Sequence, residues 1–329
     1  MKIALDVGYG SVKIVSGRSQ NDLANLIYPA AAAPLAQRDQ SLSGRIEGGV
    51  TVDVDGVPYS ALVEPSRFEN FARPLHQDYT TTPAYKALFL AALQVVGAPE
   101  VDCLVTGLPT RHAFDESRRA AVRQLMAGTH QVSPHLRVRV REVRIMSQPV
   151  GAFVDHVYQT RSQIALQSNV LVLDIGFGTA DWAVLHQGNL RSQSSDSSFQ
   201  AMSVVLERAA AQINANYRGA RLQVERLESA LRAGQSAVPL FGQMVEMAPY
   251  LNEAAAEVVP VVMSELMRRV RNEAGQIDMV ILAGGGANLF RSGVEQVVTG
   301  PPIHVSADPV HANARGFWLS TLSRSARAA

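Results

Sequence analysis

The residues of this chain best suited to chemistry are carboxylates that stand directly before glycine turns. In the run Asn169-Val-Leu-Val-Leu-Asp-Ile-Gly-Phe-Gly-Thr-Ala-Asp-Trp-Ala-Val-Leu185, an apolar strand ends in Asp174. Gly176 and Gly178 follow around Phe177, and Thr179 and Asp181 lie beyond the turn. Glycine tolerates positive φ and carries no Cβ, so the turn amides can come close to an anion. Carboxylates at the strand end and past the turn stand where a divalent cation or an attacking water can be held. Residues 3–14 repeat the pattern with Asp6, Gly8, Tyr9, Gly10 and Ser11, and Lys13 adds a point charge just past the turn. Two such hairpins, half a chain apart, predict a duplicated unit that grips one polyphosphate from both sides.

The elements that must position these residues follow from pattern. Val170 to Leu173 form the continuous apolar run of a strand buried on both faces, and Trp182 and Val184 return the chain into the sheet. Residues 81–97 read as a helix opened by Pro83 and closed by Gly97, 101–106 as a strand, and 116–127 as a helix capped by Asp115. Arg137 to Arg144 alternates Arg and Val, which reads as a strand with one solvated face in preference to a nucleic-acid contact. Residues 145–157 pass from strand to helix, with Gln148 and Pro149 in the first turn. Helices are expected over 202–217, 222–233 and 250–273, the last kinked at Pro260, and again at 308–319. Strands are expected at 278–282, running into Gly284-Gly285-Gly286, and at 303–305. A hairpin turns at Asp55-Gly56 within 50–63, whereas 25–40 reads as loop, 41–49 as a surface connection and 323–329 as a frayed end.

At 329 residues the chain is long for one core and comfortable for two domains with a ligand cleft between them. A formal charge of +1 with 47% hydrophobic residues gives no electrostatic reason for direct nucleic-acid binding. The single Cys103 excludes an internal disulfide and fits a reducing compartment. The chain opens at once with a strand, and no apolar run reaches the roughly 18 residues of a membrane span, so the expectation is a cytoplasmic protein without a membrane contact. There is no G-x-x-x-x-G-K-[ST] loop, G-x-S-x-G elbow or H-E-x-x-H pair, and the histidines show no ligand spacing.

Five landmarks stand in order: hairpin 3–14, turn and helix 145–157, hairpin 169–185, glycine turn 282–288 and helix 308–319. The set resembles the nucleotide-binding signature of the actin-like ATPase superfamily, and the Thr106-Gly-Leu-Pro-Thr110 loop and Ala312-Asn-Ala-Arg-Gly316 ending are similar to those of the plasmid-segregation (ParM/StbA) branch. The resemblance implies an α/β fold of the actin/heat-shock-chaperone/ribonuclease-H-like kind, duplicated into two domains around a nucleotide cleft. The first domain would be residues 1–160 plus 306–329, with an insertion at about 30–75. The second would be 161–305, with a helical insertion at about 200–273.

It further implies ATP, with GTP as the alternative, and Mg²⁺ held by Asp6 and Asp174 largely through its waters. Asp6, Gly8, Tyr9, Gly10, Ser11 and Lys13 would form one phosphate motif, and Asp174, Gly176, Phe177, Gly178, Thr179 and Asp181 the other. Gln148 would orient the attacking water, with Asp181 as the other candidate; a neutral amide cannot remove a proton, so turnover would be slow. Gly284, Gly285 and Gly286 would face the adenosine, Glu225, ahead of Glu228, would take the ribose hydroxyls, and 312–316 would be a hinge. The function implied is slow ATP hydrolysis coupled to filaments of the protein itself, which move plasmid DNA through a DNA-binding adaptor without touching nucleic acid directly. Two alternatives stay open: a small-molecule kinase of the same fold with Asp181 or Asp155 as base, and a non-polymerising ATP-dependent assembly or chaperone-like factor.

Overall fold

Short apolar strands and tight turns near the amino terminus build a sheet in the order Val143–Ser147, Cys103–Leu108, Lys2–Val7, Ser11–Gly17, Ala24–Pro29. The computed structural model describes residues 1–39, 48–69, 71, 73 and 78–322. Lys2–Val7 is antiparallel to its hairpin partner Ser11–Gly17 and parallel to Cys103–Leu108, which is parallel in turn to Val143–Ser147. Ile3, Leu5, Val12 and Ile14 are all fully buried, as an apolar run covered on both faces requires.

A second sheet repeats this plan in the order Asn189–Leu190, Ala180–His186, Asn169–Ile175, Met279–Ala283, Ile303–Val305, with Asp196–Ser198 also laid against Ala180–His186. Its hairpin is again antiparallel and its last two steps are again parallel. The duplicated α/β architecture expected from the two glycine hairpins is therefore present in strand order and direction as well as in motif.

Each sheet ends in a helix that leaves it for the other one. Helix Gln148–Thr160 follows the last strand of the first sheet, yet Ala152 and Phe153 bury against Val170, Val172 and Ile281 of the second. Helix Ala312–Leu319 follows the last strand of the second sheet, yet Phe317 and Trp318 bury against Ala4, Val15 and Val105 of the first. The two helices cross backbone to backbone, because a Cβ on Gly316 would collide with the Gly151 carbonyl. Burial of the two aromatic residues is worth about 3–5 kcal/mol each against truncation to alanine.

Several expectations need correction. Residues 25–40 are not loop: Ala24–Pro29 is the outer strand of the first sheet, and Ala31–Pro34 pairs with Val57–Val63. The Ala- and Pro-rich composition carries no alternation, so only pairing with a neighbour defines these strands. The hairpin Ala237–Leu240/Gln243–Glu246 had no expectation at all. The turn at Asp55-Gly56 is present with both residues at positive φ, 54° and 86°. The terminal helix begins at Ala312 and not at 308. Most of the connection expected at 41–49, and the end at 323–329, lie outside the described residues. No described helix is long and apolar enough to cross a membrane.

Candidate functional site

The two glycine hairpins face each other across a cleft of about 280 Å³ between the sheets. Each hairpin is closed by the same bond: Gly8 N–H donates to the Ser11 carbonyl at 3.1 Å, and Gly176 N–H to the Thr179 carbonyl at 2.9 Å. The tips also interlock. A Cβ on Gly178 would run into the Tyr9 ring, and one on Gly10 would lie 2.9 Å from Phe177 Cβ. Each tip therefore offers its aromatic residue to the bare glycine of the other, and only glycine permits that approach. Tyr9 also stacks on Tyr79 with ring centroids 4.7 Å apart.

Asp6, Gly8, Tyr9, Gly10, Ser11, Lys13, Gln148, Asp174, Gly176, Phe177, Gly178, Thr179, Gly284 and Gly285 all line this cleft. The two acids are almost wholly buried, Asp6 at 1% and Asp174 at 5% exposed. Lys13 Nζ donates to Asp6 Oδ2 at 3.1 Å and Gln148 Nε2 to Asp6 Oδ1 at 2.8 Å. Burial, and then repulsion from Asp6 and Asp181, push the Asp174 carboxyl up to about 7 against the pull of Lys13 and Asn313. A desolvated acid of this kind is short of positive charge. Two carboxylates on one cleft suit Mg²⁺, which keeps several waters and takes one or two carboxylates beside phosphate oxygens. Among the described residues no group of three or more His, Cys, Asp or Glu side chains is placed to hold a metal ion.

Gly284 takes φ +82° where the strand Met279–Ala283 turns, and a Cβ there would lie 2.5 Å from Asp174 Oδ1. A Cβ on Gly285 would meet nothing within 4 Å, so its bare surface is available to a flat ring, with Met202, Leu206 and Leu231 as apolar walls. Gly286 does not line the cleft; its missing side chain makes room for Ile175 and Met202, the latter 2.8 Å from a Cβ.

Two further expected residues lie elsewhere. Asp181 does not line the cleft: its Oδ1 accepts from Thr110 N–H at 2.6 Å and from the Ser197 hydroxyl, which ties the 107–110 loop of the first half to the second. Its carboxyl is raised by burial, against the pull of bonds from Ser197, Thr179 and Thr110. Glu225 lines a separate depression with Arg73, Phe177 and Gln223, whereas Glu228, one helical turn further along Val224–Arg232, lines the cleft. Glu228 accepts from Arg73 at 2.6 Å, and its carboxyl is raised by burial that the Arg73 and Arg232 cations offset only in part. Arg73 also lies over the Phe177 ring at 4.2 Å, and Arg232 donates to the Gly10 carbonyl at 2.9 Å. Arg73 and Arg232 carried no signal in sequence, because their partners are 155 and 222 residues away.

The site is thus a cleft with backbone donors from two turns, a lysine, two buried acids, one neutral amide and an apolar wall beside a bare glycine. Such a set suits a nucleotide, and comparison with known proteins bears on the fold that holds it. Residues 4–151 match the family model described as the actin-like proteins N-terminal domain, and residues 172–296 match that of the archaeal actin homologue MreB-like C-terminal domain. Among solved structures, an archaeal actin homolog is 19% identical over 98% of this chain and 99% of its own, with a TM-score of 0.76. The structure of an archaeal actin homolog in complex with ADP is similar at 18% identity over the same 98% and 99%, with a TM-score of 0.72. A 15-stranded ParM filament from Clostridium botulinum is similar at 17% identity, again over 98% and 99%, with a TM-score of 0.72. No curated protein matches the chain.

Proposed function

The chain belongs to the actin-like proteins, and from that premise we propose that it binds ATP with Mg²⁺ in the cleft, hydrolyses it slowly and couples this to head-to-tail assembly with copies of itself. GTP is the competing nucleotide. The observation that carries the reading is the facing pair of glycine hairpins, each ending at a buried acid. In this reading the turn amides and Lys13 bind phosphate oxygens, and Asp6 and Asp174 hold the cation. Gly285 faces the adenosine, and Glu228, in place of Glu225, is available to the ribose hydroxyls once it leaves Arg73. The cation supplies charge neutralisation on the phosphates. Gln148 orients a water, since phosphoryl transfer asks more for positioning than for covalent help.

Assembly is supported by the filament described for the ParM neighbour and by the fold common to both chains. Contacts that join unlike faces of one subunit generate open helical polymers. The role proposed for such a polymer is to move a plasmid or other DNA through a DNA-binding adaptor, in line with a formal charge of only +1. A kinase reading would need a base facing the cleft. Neither Asp181 nor Asp155 lines it: Asp181 accepts from Thr110 and Ser197 through Oδ1, and Asp155 is paired with Arg315 at 2.7 Å.

The test is light scattering and pelleting with ATP, GTP, ADP or no nucleotide, followed by electron microscopy of the pellet. Filaments that form with ATP and disperse as phosphate is released are expected. A protein that binds ATP yet stays monomeric at high concentration would overturn the polymer and leave the non-polymerising ATPase.

A further inference from the structure

Each half of the molecule ends its sheet with a helix that opens on an amide, and each amide sits on the acid of its own half. Gln148 Nε2 donates to Asp6 Oδ1 at 2.8 Å, and Asn313 Nδ2 donates to Asp174 Oδ2 at 2.7 Å. Both helices follow the last strand of their sheet in chain order and both acids lie on the first, so Asn313 occupies in the second half the place that Gln148 occupies in the first. The sequence reading gave residues 312–316 a hinge role only, and neither family match extends to them.

Asn313 is 4% exposed and lines the cleft, and its Oδ1 is buried without a hydrogen-bond partner among the described residues. An amide oxygen stripped of water and left unpaired is costly, so one kept in this position calls for a donor that arrives with the ligand. The neighbouring groups do not supply one: the Lys13 ammonium donates to Asp6 and not to this oxygen, and an ionised carboxylate only accepts. A water polarised by a divalent cation is a strong donor.

We propose that Asn313 is a positioning residue of the cation site: Nδ2 fixes Asp174, and Oδ1 accepts from a water in the cation's hydration shell. The proposal rests on the reading of the cleft as a magnesium-nucleotide site. It makes the terminal helix, and not only the hairpins, part of that site.

The test compares the affinity of a fluorescent ADP analogue in MgCl₂ and in EDTA for the full chain and for Asn313→Ala, with Arg315→Ala as control. Arg315 bonds Asp155 at 2.7 Å and Asp308 at 2.8 Å from the same helix without lining the cleft. Groups that orient a metal's ligands typically contribute about tenfold or more to its affinity. Asn313→Ala is therefore expected to cut the magnesium-dependent gain in ADP affinity by about tenfold, whereas Arg315→Ala lowers the melting temperature and keeps that gain. A gain unchanged in Asn313→Ala, or lost equally in Arg315→Ala, overturns the proposal. If Asn313→Ala does not fold, Asn313→Ser, whose shorter hydroxyl cannot span to Asp174, is held to the same expectation. An unmutated chain that binds no ADP, or binds it without a magnesium-dependent gain, overturns the cleft reading itself.

Discussion

Gln148 donates through Nε2 to Asp6 Oδ1, and in the proposed function its carbonyl oxygen orients a water. Truncation to alanine should leave ATP binding in place and slow hydrolysis by about 10²-fold, the size of effect that a misplaced reactant produces, measured as phosphate release. Filaments of this variant should live longer than those of the parent. Asp174→Ala should abolish the magnesium-dependent part of nucleotide binding, read by titration with and without EDTA. The two glutamates are separated by a third experiment: Glu228→Gln should weaken ATP binding, and Glu225→Gln should leave it unchanged. The acids and glycines were legible in sequence because each is tied to a strand end and a tight turn, both local features. The choice between Glu225 and Glu228 was not, nor was Asn313, because which face of a helix meets a ligand depends on how the helix is docked. The spacing of Asp181 from the turn fits a ligand as well as it fits the bonds its Oδ1 makes to Thr110 and Ser197.

At the scale of elements, helices with caps were the most legible. Thr82 accepts from Tyr85 N–H at the start of Pro83–Val96, and Asp115 accepts from Ser117 and Arg118 at the start of Glu116–Met126. Edge strands such as Ala24–Pro29 were not, since pairing with Ser11–Gly17 defines them and half their surface is solvated. The crossing of Gln148–Thr160 with Ala312–Leu319 is the element contact with the least tolerance. Gly316→Ala should destabilise by about 1–3 kcal/mol, the usual cost of an overpacked contact, checked by denaturant titration. Gly178→Ala tests the hairpin interlock in the same way: it should displace the Tyr9 ring and lower nucleotide affinity with little effect on secondary structure by circular dichroism.

For the whole molecule, the two halves are also tied outside the cleft. Arg111, in the short helix Thr110–Ala113 of the first half, donates to Asp196 Oδ1 of the second at 2.9 Å, and Arg269 donates to Asp196 Oδ2 at 2.7 Å. Burial raises the Asp196 carboxyl, but the bonds from Arg111, Ser197 N–H and Arg269 outweigh it and hold it below the usual range. A carboxyl depressed in the folded state contributes stability that is complete above its unfolded value of about 4 and is lost as pH falls through the lower folded value. Asp196→Asn should therefore be less stable at pH 7, by about 1 kcal/mol or less because both arginines are half exposed, and its acid unfolding should be less steep below pH of about 4. Thermal melts of both proteins as a function of pH check this.

If the two halves turn against each other as the proposed assembly requires, the glycine-to-glycine crossing is the natural fulcrum, because a Cβ on Gly316 would meet the Gly151 carbonyl there. Points beside a fulcrum travel least, so Asp6 and Asp174, each bonded by an amide of one crossing helix, would keep their mutual spacing while the distal margins of the sheets swung. A small change of angle at the centre would then be geared into a large displacement at the perimeter, where an adjoining subunit would register it.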